Sequence, residues 1–146
     1  MQMRIKILML FFVGWATIAS ATTNEIAVSV TLKAQKGVTD IDRRSGTLLV
    51  QMAGQRYNVQ TLATTTTNQF LTKGSVVTPG WAFMRCLSTN AGQKVNITFD
   101  GGATTSMVLE AKEPALFRCS PSALITNWTV SAGAGSVDFE FTVIED

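Results

Sequence analysis

The groups able to move protons or attack a substrate are few in this chain. Its paired or clustered carboxylates are Asp40 with Asp42, Asp100, Glu110 with Glu113, and the terminal Glu145 and Asp146. General acid–base catalysis needs two such groups whose surroundings push their pKa values apart. All but Glu110 fall in expected turns or at the chain end, where solvent levels those surroundings. The sequence contains no histidine, which removes His-based triads, the commonest general base and the usual zinc ligand together. No serine stands in a G-x-S-x-G turn, and none has a histidine to activate it. Asp40-Ile41-Asp42 lacks the further oxygen ligands calcium requires, and the adjoining Arg43-Arg44 doublet would repel the ion. The expectation is a protein with no catalytic residues, no metal and no cofactor.

Cys86 and Cys119 are the only cysteines. An even count behind an export segment suggests a disulfide. Such a bond would close a loop of roughly 30 residues and stabilise by about 3–4 kcal/mol in the chain-entropy estimate. The alternative is two buried free thiols, the form a reducing cytoplasm would keep. Arg85 and Arg118 each precede a cysteine, but strand alternation sends neighbours to opposite faces, so both cysteines read as structural. Asn96-Ile97-Thr98 and Asn127-Trp128-Thr129 match the N-glycosylation pattern, which arises often by chance. Trp81, Trp128 and Tyr57 could stack on sugars as a flat platform. Trp81 alternates with Phe83, however, and Trp128 with Val130, which points both tryptophans to the core.

Period-two alternation runs from Glu25 to the end, and no stretch there shows apolar residues at helical spacing over three turns. Ile26, Val28, Val30 and Leu32 share one face of the first strand, and Val137, Phe139, Phe141 and Val143 one face of the last. Asp138, Glu140 and Thr142 face the other way, as in a sheet with one buried and one wet side. Further strands are expected near 47–52, 56–62, 75–77, 81–87, 94–99, 105–110, 115–119 and 124–131. Ala53-Gly54, Pro79-Gly80, Ala91-Gly92, Asp100-Gly101-Gly102, Ser120-Pro121 and Gly133-Ala134-Gly135 supply the turns between them. The Thr64–Thr67 run reads as an exposed strand edge or loop, and Asp40 to Arg44 as a solvated turn. Many short strands at this spacing predict an all-β fold, an antiparallel β-sandwich of jelly-roll type, over residues 22–146.

An apolar helix is expected ahead of that domain. Arg4 and Lys6 precede a nearly unbroken apolar run, Ile7 to Ile18, and Ala19-Ser20-Ala21 follows, the layout of a secretory signal peptide cleaved after Ala21. If uncleaved, residues 5–19 would serve as a membrane anchor. Cleavage would take 21 of the 146 residues and leave 125, the size of one domain, and turn 12 basic and 10 acidic residues into 10 of each. A neutral chain argues against nucleic acid, whose affinity comes from clustered cations.

From Gly80 onward the sequence resembles a group of small bacteriophage virion proteins encoded among head and tail genes. The resemblance rests on Gly80-Trp81-Ala82-Phe83-Met84-Arg85-Cys86-Leu87, on Glu113-Pro114-Ala115-Leu116-Phe117-Arg118 after an extended hairpin, and on the alternating strand Val137 to Asp146. Glu25 to Leu32 followed by Lys36-Gly37 extends it over roughly residues 24–146. Two features depart from that pattern: the two cysteines, and the apolar N-terminus, which proteins assembled in a bacterial cytoplasm ordinarily lack. The resemblance implies a non-enzymatic structural protein, a capsid decoration, spike or tail accessory component, located in the virion. It would act through symmetric contacts with capsid or tail proteins and as a homo-oligomer. The rival reading is an exported β-sandwich binding module for carbohydrate or a cell surface, with recognition carried by loops.

Overall fold

A computed structural model describes residues 26–36, 39–52, 54–120 and 122–145. The expected signal helix or anchor, residues 1–21, lies outside the described residues. Among those described, no helix is long and apolar enough to cross a membrane. The chain is all-β with antiparallel pairing throughout, and its only helical element there is a 3-10 turn at Ile125–Asn127.

The first two strands stand apart from the rest. β1 (Ile26–Lys36) and β2 (Thr39–Val50) form a two-stranded ribbon of their own, paired from Ile26 with Val50 to Lys36 with Thr39. The segment Asp40 to Arg44, expected as a turn, is strand. Lys33 pairs with Asp42 in register across the ribbon, with Nζ 3.9 Å from the carboxylate, and Arg44, two residues along the same strand, reaches that carboxylate at 3.0 Å. Ser29 pairs with Thr47 and Thr31 with Arg44, so Val30 faces both Ser45 and Gly46. This is a β-bulge. Gly46 adopts φ +70°, a conformation that penalises a Cβ, and the Ser45 hydroxyl accepts the Val30 N–H at 2.9 Å.

The remaining strands make two four-stranded sheets, whose orders are β3-β10-β5-β8 and β4-β9-β6-β7. The first holds β3 (Tyr57–Thr64), β10 (Val137–Glu145), β5 (Pro79–Cys86) and β8 (Pro114–Arg118). The second holds β4 (Gln69–Phe70), β9 (Thr129–Ala132), β6 (Lys94–Thr98) and β7 (Met107–Glu110). One hydrophobic core joins them: Ala82, Met84, Phe139 and Phe141 from the first sheet pack with Val95, Ile97, Leu109 and Val130 from the second. As expected, Val137, Phe139, Phe141 and Val143 are all buried. Phe99, Phe117, Trp128 and Phe141 make an aromatic cluster within it, with ring centroids 4.8–6.2 Å apart.

Two expected strands take other forms. Residues 75–77 form no strand: a turn over 73–76, in which the Val76 N–H donates to the Lys73 carbonyl, leads into them, and Val76 is buried. The segment 124–131 divides because Ile125 and Trp128 both enter the core, and a 3-10 turn brings residues three apart onto one side. Conversely, Gln69 and Phe70, which lie outside the expected strands, pair with Val130 and Thr129.

Candidate functional site

The sequence-predicted chemical groups are dispersed by this fold. Asp42 is occupied by Lys33 and Arg44 on the ribbon. Asp100 caps a glycine turn: its Oδ1 accepts the Ala103 and Thr104 N–H groups at 3.0 and 3.1 Å. Chiefly the Thr104 N–H, against a smaller opposing push from burial, holds its carboxyl below the ordinary value. Glu113 closes the β7–β8 turn by accepting the Glu110 N–H at 2.9 Å. Glu145 accepts the Val77 N–H at 2.9 Å, and this bond, aided by Arg56, lowers its carboxyl as well. Asp146 lies outside the described residues. Each of Asp42, Asp100, Glu113 and Glu145 therefore has a structural partner, and no group of His, Cys, Asp and Glu suited to a metal ion occurs among the described residues.

Cys86 and Cys119 are separate free thiols, both buried. The Cys119 N–H donates to the Gly80 carbonyl at 2.8 Å, which sets Cys119 at the far end of β5 from Cys86. Six strand residues span roughly 20 Å, whereas a disulfide needs its Cα atoms within about 7 Å. The expected disulfide is thus replaced by the second reading, two structural thiols. Burial pushes the Cys119 thiol up to about 11, which leaves it almost wholly protonated at neutral pH.

Both glycosylation patterns also have a structural account. Their hydroxyls, on Thr98 and Thr129, are buried and bonded to each other at 2.8 Å across β6 and β9. Trp128 enters the core as expected, but Trp81 does not. Ala82, Met84 and Cys86 are the inward residues of β5, so Trp81, Phe83 and Arg85 point to the outer face of the first sheet. Both alternation registers of β5 are apolar at that end, which is why the sequence leaves its facing ambiguous.

That outer face is the most distinctive surface of the molecule. Arg85 forms an ion pair with Glu140 at 2.8 Å, its cross-strand neighbour. The Arg118 guanidinium stands 6.0 Å over the Trp81 ring, which is itself buried although it faces outward. Tyr57, Val59 and Leu116 are exposed on the flanking strands. The foot of the ribbon approaches the same face: Ser29, Val30 and Thr31 line a cleft of about 360 Å3 with Phe83, Pro114 and Leu116. An apolar surface with fixed charges at its edge can bind another surface. Comparison with models of known protein families, with curated proteins and with solved structures finds no match to this chain.

Proposed function

We propose that this chain is a non-enzymatic virion structural protein, a decoration, spike or tail accessory component that works by repeated surface contacts. We also read its two sheets as a jelly-roll sandwich. The strand order carries this reading: with β3 to β10 numbered one to eight, the neighbours 1-8, 3-6, 2-7 and 4-5 each sum to nine. A long antiparallel ribbon rolled over itself produces that order. Jelly rolls recur in viral capsid and lectin domains, so the fold narrows the function by analogy only. The ribbon and outer face supply what the analogy lacks, an apolar, chemically inert contact surface whose modest affinity a symmetric lattice multiplies. Mass spectra of purified phage particles are expected to contain this chain at a copy number comparable to capsid proteins. Its absence from particles would overturn the reading.

One observation favours the exported binding module instead. Ser88, Asn90, Gln93, Ser136 and Asp138 line a polar cleft of about 340 Å3 between two loops, with hydrogen-bonding groups suited to a sugar. Retention of the soluble chain on a glycan column, lost in Asn90→Ala, would select it.

A further inference from the structure

An isolated two-stranded ribbon is marginal in water, because neither of its faces is sealed. β1 and β2 are 11 and 12 residues long and pair with no other strand among those described. Their apolar residues are nevertheless conspicuous: Val30, Leu48 and Leu49 are each more than half exposed, and Leu48 and Leu49 lie on opposite faces. The ribbon meets the body of the chain at Ser29, Val30 and Thr31, in the cleft with Phe83, Pro114 and Leu116. We infer that the ribbon is an exchange arm, which docks on the outer face of the β3-β10-β5-β8 sheet of a second copy of this chain. The inference rests on the surface-contact reading above and names its first partner.

Two observations identify a second copy as the occupant. The contact already exists within one chain, where Val30 and Leu116 line one cleft, and moving an arm to a neighbour reuses that surface without new chemistry. The size also fits, since a standard interface takes roughly 20–30 residues from each side, about the length of the arm.

The test uses the full chain in two singly substituted forms, Val30→Cys and Leu116→Cys, mixed by refolding together and treated with a short bis-maleimide. The native Cys86 and Cys119 are buried and do not compete. A covalent dimer from the mixture, absent from either form alone, together with about twice the single-chain mass in sedimentation, is expected. Leu48→Asp with Leu49→Asp, both at exposed positions, should restore the single-chain mass with unchanged far-UV circular dichroism. A monomeric parent chain, or a mixture that yields no covalent dimer, would overturn the inference. A dimer from a protein missing in purified particles removes the virion reading and leaves the arm. A particle component that stays monomeric and uncrosslinked removes the arm and leaves the virion reading.

Discussion

Phe139 and Phe141 occupy successive inward positions of the central strand β10, both fully buried. Phe141→Ala is expected to destabilise by about 3–5 kcal/mol through lost burial and a residual cavity, read as a lower urea midpoint at unchanged slope. The thiols offer a second measurement at this scale. Unreduced protein alkylated in denaturant should gain two adducts by intact mass, whereas a disulfide would allow none. In the native state at pH 8 the same reagent should leave Cys119 unmodified, because its thiol ionises only near pH 11. The carboxylates set the acid limit. Asp100 and Glu145 ionise below their ordinary values of 3.8 and 4.5, so their contribution is complete above those values and is lost as pH falls through the folded ones. The melting temperature should therefore hold from neutrality to about pH 5 and fall below it. Asp100→Asn should lower it at pH 7, and its gap to the parent chain should narrow as pH falls below 3.8.

Strands differ in how firmly they are held. β10 pairs on both sides, with β3 and β5, and its inward face is sealed by the second sheet. The arm has one partner strand and water on most of both faces. In hydrogen exchange of the free chain, arm amides should exchange orders of magnitude faster than those of Phe139 to Val143. Gly46→Ala places a Cβ at φ +70° in open space, which costs about 1 kcal/mol of backbone strain and no packing. Its effect should appear as faster exchange within the arm at a nearly constant melting temperature. Alternation made β10 legible in the sequence, because one face is dry and the other wet. The arm's second strand was legible only from Thr47 onward: with solvent on both faces, Asp40 to Arg44 has no reason to alternate, and its pairing with Thr31 to Gln35 is invisible to local pattern.

The molecule as a whole closes on contacts far apart in sequence. The Thr64 hydroxyl donates to the Val137 carbonyl across 73 residues, and β3 pairs with β10 along its length. Such topology places loop closure before any reward, so refolding in stopped-flow experiments should take milliseconds to seconds rather than microseconds. The sequence by itself determined the all-β class and the buried face of the last strand, since both follow from local periodicity. Tertiary structure alone decided which strands are neighbours, that Cys86 and Cys119 lie at opposite ends of β5, that Trp81 turns outward, and that residues 26–50 stand apart as an arm. The physical reason is the same in each case. Register and sheet order depend on pairing between distant segments, and where both faces of a strand are apolar, or both are wet, local pattern carries no information about its facing or its partner.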